Sequence, residues 1–360
     1  MLLKRVELWW RGLWIRLLVS LMRRPSDARP DWDSGPRRVL FLRHDRAGDM
    51  IVSTGVMRAI ARSHATITLD VLASPRNADL VRHTDYLADV IVFDKRKLSG
   101  YVGTLMRLRR ARYDAVIDCM VTAPSVTTLL LVLASGARYR IGIAARGNDA
   151  AFNVRVPGVT DGDAHMVDRL ASLATPFGPA LTAEQRQPTL SFTAVELARA
   201  ASVWNTPPGT PRVLVNISAG AADRLWPDER YVAVMRHVLG RTGDAVIRII
   251  SSPDEADRAE RIARKGGGIA VHTPSIRDAV ALVATADFVF TPDTSIAHAA
   301  SALQKPAVAI YGKGSMARWA LYGGFGQSVE HTRELSDLGV DRVLRAIDDV
   351  WDAALLSRRG

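Results

Sequence analysis

The stretch Phe290–Gly312, FTPDTSIAHAASALQKPAVAIYG, decides how this chain is read. It opens on the end of an apolar strand predicted over Asp287–Thr291 and breaks at Pro292-Asp293-Thr294-Ser295. It then resumes as a small-residue helix through His298, Ala299, Ala300, Ala302 and Leu303, which Lys305-Pro306 ends. A second apolar strand over Ala307–Tyr311 stops at Gly312. The unit is strand, helix, strand, with a turn rich in Asp, Thr and Ser on the N-terminal end of the helix. Such a turn offers backbone N–H groups without intrahelical partners, the positive end of a helix dipole, and hydroxyls within reach of an anion. It can seat a phosphate or diphosphate. The same residue types are favoured helix caps anywhere, and one turn alone does not separate the two readings.

Outward from this stretch, 360 residues of which 48% are apolar suffice to bury two ordinary cores, so two domains are expected. One cysteine, Cys119, lies in the apolar run Ala115–Val121, which excludes a disulfide framework and fits a reducing cytoplasm. The net charge of +11 points to an acidic partner: nucleic acid, an anionic membrane surface, or a phosphorylated substrate. Nucleic-acid binding calls for a basic stripe interleaved with aromatics. Beyond the N-terminal segment the arginines are scattered among few aromatics, so nucleic acid is set aside.

That N-terminal segment, MLLKRVELWWRGLWIRLLVSLMRR over residues 1–24, places Leu3, Val6, Trp10, Leu13, Leu17 and Leu21 on one helical face. Lys4, Arg5, Arg11, Arg16 and Arg23 lie on the other, where Leu8 and Ile15 intrude. Arg11 and Arg16 in mid-segment make a membrane span expensive, and no small-residue cleavage site follows. A helix lying in the headgroup layer of an anionic membrane is one reading; a helix packed on protein is the other. Residues 1–28 are assigned to this helix and 29–36, rich in Pro, Asp and Ser, to a linker.

Past the linker, strands are predicted over 38–42, 67–73, 90–93 and 113–120, alternating with helices over 50–62, 78–83, 98–112 and 125–134. After an irregular stretch with a helix near 165–173, the pattern restarts. Strands follow over 212–217 and 245–250, with helices over 228–241, 254–265 and 275–285. Alternation of this kind gives an α/β fold with parallel sheets, here two Rossmann-like domains facing each other across a cleft, with ligands at the carboxyl ends of the strands. The expected domains are 37–204 and 212–335, joined by the Pro-rich hinge 205–211 and followed by a C-terminal helix over 336–360.

Two more constellations carry chemistry. Gly48-Asp49 closes the loop after the first strand, where a doubly wound sheet presents ligands, and Asp49 reads as a general base or as a helix cap. The loop Asn216–Pro227 holds Ser218, Ala219 and Gly220, small enough for close backbone approach to a ligand, and Arg224, which can reach a phosphate. It also reads as a helix-entry loop in which Trp226-Pro227 packs. Dinucleotide, P-loop and zinc-protease signatures are absent. His44, His165 and His298 lack metal-ligand spacing, so no metal and no cofactor are expected.

Taken together and in this order, the three stretches resemble glycosyltransferase family 9, the ADP-heptose:lipopolysaccharide heptosyltransferases. The resemblance rests on VLFLRHDRAGDMIVSTGVMRAI, on the basic residue two places before Trp226-Pro227, and on Asp293-Thr294-Ser295-Ile296-Ala297-His298, and covers roughly residues 37–324. Where the family has Gly this chain has Ser295, and where it usually has Lys this chain has Arg224. The resemblance implies an inverting GT-B-type glycosyltransferase that uses an ADP-heptose or similar donor. It implies that Asp49 deprotonates the acceptor hydroxyl and that Asp293 contacts the donor sugar. Thr294, Ser295, Ile296, Ala297 and His298, with Ser218, Ala219 and Gly220, would hold the donor, and Arg224 would offset charge on the leaving diphosphate. The implied acceptor is a lipopolysaccharide core or another lipid-linked phosphorylated saccharide, met on the inner face of the bacterial inner membrane. A nucleotide-sugar epimerase of the same fold, or a binding protein without turnover, remain the alternatives.

Overall fold

The structure, a computed structural model, describes residues 13, 14, 17, 20, 30–35, 37–120, 125–143, 151–159, 164–219 and 225–357. The chain forms two compact units: Met1–Arg46 with Ser53–Arg186, and Ala47–Val52 with Gln187–Gly360.

The first unit is built on the strands β1 (Arg37–Arg43), β2 (Ile67–Ala73), β3 (Asp89–Val92), β4 (Ala115–Asp118), β5 (Tyr139–Ile143) and β6 (Val154–Val156). They pair in parallel in the order β3-β2-β1-β4-β5-β6. Runs such as VLFL in β1 and AVI in β4 are apolar at every position because both sheet faces are covered. Strand order grows one way from β1 through β2 and the other way through β4. Right-handed crossovers therefore send the connecting helices to opposite faces and open a crevice between β1 and β4 at their carboxyl ends.

The second unit repeats the plan with β7 (Arg212–Asn216), β8 (Val246–Ile250), β9 (Ile269–Ala270), β10 (Phe288–Pro292), β11 (Ala307–Tyr311) and β12 (Gly326–Glu330). Its order is β12-β11-β10-β7-β8-β9, all parallel, with the reversal between β7 and β10. The helix Val340–Ser357 closes its core through Val343, Ala346, Ile347, Val350 and Trp351, an apolar stripe at helical spacing. Trp351 lies against Phe288 with ring centroids 5.2 Å apart.

Several expectations shift. β5, β6, β9 and β12 had no strand expectation. β5 reads YRIGI, whose arginine and glycine hide an apolar run. Gly142 is required there because a Cβ would lie 2.5 Å from the Phe152 ring. The boundary expected at 205–211 falls instead between Arg186 and Gln187. The helix Ala194–Ser202, capped by Thr193, is bound to the second unit by the ion pair from Arg277 Nε to Glu196 at 2.8 Å. Trp204 is buried there, and Arg248 Nη2 donates to its carbonyl at 2.6 Å. The expected linker also contributes to a core: Trp32 is 4% exposed, stacks on Phe177 at 4.4 Å, and donates from Nε1 to the Pro176 carbonyl at 2.7 Å. Of the N-terminal segment, Leu13, Trp14, Leu17 and Ser20 are helical and exposed; the rest of residues 1–28, and residues 29 and 36, lie outside the described residues.

Candidate functional site

In the second unit the carboxyl ends of β7 and β10 flank the strand-order reversal, and a polar network ties their loops together. Asn216, the last residue of β7, is 3% exposed. Its Nδ2 donates to Thr291 Oγ1 and to Thr294 Oγ1, both at 3.0 Å, while its Oδ1 accepts from the Ser218 N–H at 3.2 Å. Ser218 Oγ in turn accepts from the Ser252 N–H at 2.5 Å. Thr294 is the N-cap of the helix Ser295–Ala302 and accepts from the Ile296 N–H at 3.3 Å. Asn216 and Thr291 thus hold the helix entry, roles invisible in the sequence, where each reads as a polar residue ending an apolar strand.

This geometry divides the expected donor residues. Thr294 and Ser295 are half-buried at the mouth of the helix, where the positive end of its dipole lies. Ile296 and Ala297 turn their side chains into the core, at 4% and 0% exposure. The Ala297 N–H is taken by the Thr294 carbonyl at 3.1 Å. Asp293 is 9% exposed; its N–H donates to the Ile310 carbonyl at 3.0 Å and its carboxylate accepts from Ser315 Oγ at 2.9 Å. His298 is buried beside Trp319, ring centroids 5.6 Å apart. Ser218 and Ala219 are half-buried at the end of β7.

Gly220 and Arg224 lie outside the described residues, but the two ends of their loop are fixed. Arg258 Nη1 donates to the Ile217 carbonyl at 3.2 Å and Nη2 to the Trp226 carbonyl at 2.8 Å, while Nε pairs with Asp228 at 2.7 Å. One guanidinium therefore closes the loop at its base. Trp226 is 1% exposed and donates from Nε1 to the Leu338 carbonyl at 3.0 Å, so the Trp-Pro step packs as well as leading into the helix Asp228–Thr242.

Asp49 stands third in the helix Ala47–Ala61, not at its cap; Arg46 occupies that position, with extended backbone. The first six helical residues, Ala47–Val52, group with the second unit. Within that unit Gly48 abuts the start of the helix Ser295–Ala302: a Cβ there would lie 2.7 Å from His298 Cδ2 and 3.7 Å from Ser295 Cα. A glycine is needed for this approach; Asp49, the residue that follows it, is half-buried.

The loop leading to Asp49 is itself held. Arg43, 3% exposed at the end of β1, donates from Nε to Ser53 Oγ at 2.8 Å and pairs through Nη1 with Asp45 at 3.0 Å. Asn77 Nδ2 donates to the Arg43 carbonyl at 3.0 Å. Asp118 ends β4 across the crevice; burial pushes its carboxyl up to about 7, while the hydrogen bond from the Met120 N–H at 2.9 Å and the charge of Arg43 oppose that rise. Burial also lowers His44, whose ring meets Phe93 edge-on. Among the described residues no group of three or more His, Cys, Asp and Glu gathers as a metal site.

Two α/β units with the same reversing strand order define a GT-B-type architecture. The chain belongs to glycosyltransferase family 9 (heptosyltransferase), whose sequence profile matches residues 104–338, more than half its length, beginning beyond Asp49. It is 31% identical over 142 residues to lipopolysaccharide heptosyltransferase 1 of Escherichia coli O18:K1:H7, a match that spans 37% of this chain and 41% of that protein. Among solved structures it resembles a family 9 glycosyltransferase of Veillonella parvula at a TM-score of 0.78, with 14% identity, 89% of this chain and 98% of that one covered. The ADP-heptose lipopolysaccharide heptosyltransferase II of Escherichia coli follows at 0.70, with 20% identity and 90% and 100% covered. The Escherichia coli heptosyltransferase WaaC solved with ADP also scores 0.70, with 20% identity and 87% and 99% covered.

Proposed function

We propose that this protein is an inverting glycosyltransferase that moves a heptose, or a similar sugar, from an ADP-linked donor to a hydroxyl of a lipopolysaccharide core or another lipid-linked phosphorylated saccharide. The observation that carries the proposal is the approach of Gly48 to His298 and Ser295, since the next residue, Asp49, is the candidate base and the helix end is suited to a diphosphate. The names of the Escherichia coli relatives, one solved with ADP, support the choice of donor.

In the proposed step Asp49 takes the proton of the acceptor hydroxyl as its oxygen attacks the anomeric carbon. The bond from that carbon to the diphosphate oxygen breaks on the opposite face, and its electron pair leaves with the nucleoside diphosphate. A single displacement of this kind inverts the anomeric centre. Charge developing on the leaving group meets the dipole of the helix Ser295–Ala302 and the cation of Arg224. Asp293 holds the donor sugar, and Ser218, Ala219 and Gly220 line the approach to the phosphates. At the N-terminus, the exposed Leu13, Trp14 and Leu17 would enter an anionic bilayer with the basic residues among which they lie, keeping the enzyme near a lipid-linked acceptor.

Asp49→Asn tests the reading. Transfer should fall by about 100-fold or more, since general-base assistance is worth roughly 10²–10⁴, while donor binding and melting temperature hold. Near-normal transfer would remove Asp49 from the mechanism, and turnover of donor without any acceptor would indicate an epimerase instead.

A further inference from the structure

The first unit carries a basic and apolar face, one edge of which, Lys95, is near enough to His44 to help lower its pKa. It is formed by the loop after β3 and by the helix Leu98–Ala111, LSGYVGTLMRLRRA, which contains no acidic residue. The helix buries Thr104 and Leu108, with Tyr101 and Leu105 packed beside them on the core. Charged residues are expected on the opposite face. At its centre, however, stand Val102 and Met106, spaced i and i+4 and each 48% exposed. Arg110, one turn beyond Met106, is exposed beside it, while the Arg109 guanidinium turns toward Gly136 at the end of the helix Val126–Ser135. Lys95 and Lys97, exposed in the preceding loop, extend the positive rim. Neighbouring cations are already committed, Arg107 to Asp89 at 2.5 Å and Arg96 to Asp94 at 3.1 Å.

We infer that this face is a docking surface for the anionic surface of a lipid bilayer, with Val102 and Met106 entering the headgroup layer and Lys95, Lys97 and Arg110 meeting lipid phosphates. An exposed apolar pair with cations beside it is the arrangement of an interfacial helix. A nucleic-acid face would put cations or aromatics where Val102 and Met106 stand. The inference extends the lipid-linked acceptor proposed above: it gives the first unit its own contact with the membrane that holds such an acceptor.

The full-length protein, its Lys95→Gln/Lys97→Gln/Arg110→Gln variant and its Val102→Glu/Met106→Glu variant are compared by co-sedimentation with phosphatidylcholine vesicles, with and without phosphatidylglycerol. Each Lys or Arg near an anionic surface is worth a severalfold change in partition, so the charge variant should bind the anionic vesicles roughly 10- to 100-fold more weakly. The apolar variant should lose a comparable amount, and salt should weaken the unaltered protein. As a second measurement, Val102→Cys is labelled with an environment-sensitive dye, the native Cys119 being buried, and its emission should shift blue on anionic vesicles. Partition unchanged in both variants, or a dye that stays in water, overturns the inference. So does RNA retention abolished by the charge variant while its vesicle binding persists. Transfer activity is read separately with a soluble acceptor fragment: its absence refutes the proposed reaction, whereas unchanged partition refutes only the surface.

Discussion

Gly48→Ala is the most direct probe of the site, because the added methyl has one destination. It would lie 2.7 Å from His298 Cδ2. Carbon atoms are comfortable at about 3.5–4.0 Å, so the two segments must part by about 0.8 Å or more. The His298 ring is 6% exposed and backed by Trp319, which leaves it little room to swing away. Overpacking of this kind costs about 1–3 kcal/mol. Alanine would regain up to about 1 kcal/mol of helix propensity, less in a first turn, so the overlap wins and a net loss of about 1–2 kcal/mol remains. A shift near 1 Å beside a reacting group can cost about 10²-fold, so transfer should fall about 10- to 100-fold, a larger effect than the stability loss. Denaturant unfolding and single-turnover transfer measure the two quantities. His298→Ala opens the space, and in the double variant the stability cost of Gly48→Ala should largely vanish as a coupling energy. Wild-type stability and rate for Gly48→Ala, or strictly additive losses in the double variant, would refute the contact and the placing of Asp49 that depends on it.

Two further outcomes follow from other parts of the chain. Arg224→Ala should weaken donor use and Arg224→Lys restore much of it, read as kcat/KM for the donor; loss of activity to a chelator with recovery on added divalent ion would refute the role of Arg224. Glu196 is drawn from an ordinary 4.5 to about 2, chiefly by the hydrogen bonds from Arg277 and in spite of burial. A carboxyl with a depressed folded-state value contributes stability that is complete above about pH 4.5 and lost as the pH falls toward 2. The melting-temperature gap between wild type and Glu196→Gln should therefore be widest at neutral pH and close in acid, and a gap constant down to pH 3 would refute the pairing.

A continuous apolar run, AVAIY, made β11 legible to the residue, because a strand covered on both faces needs no alternation to be seen. β12, GQSVE, is a polar edge strand, and its sequence pattern matches that of a loop. The turns of the candidate site were legible for a different reason: Asp, Thr, Ser and Gly at strand ends mark places where the backbone must bend or cap. What holds those turns was not. Asn216 meets Thr291 and Thr294 across 75 and 78 residues of sequence, and Arg258 braces Ile217 and Trp226 from another helix. Pairings of that kind depend on parallel register between β7, β8 and β10, which no local pattern encodes. The domain boundary was misplaced because Pro207-Pro208-Gly209 has the composition of a hinge, while the burial of Trp204 and the Arg277–Glu196 pair bind the preceding helix to the second unit.

Trp32 is also a mooring point. Its indole is seated on Phe177 and hydrogen-bonded to Pro176, so the N-terminal chain leaves the first unit from a fixed position. Nine residues lie between Ser20 and Pro30, so those two Cα atoms can stand no more than about 36 Å apart. The basic helix Leu98–Ala111 belongs to the same unit. On the membrane contacts proposed above, a bilayer that captured either element would meet the other as an intramolecular partner, at an effective concentration that this short span keeps high. Two weak contacts would then act as one firm attachment, whose strength depends on how few residues lie between the N-terminal segment and Trp32.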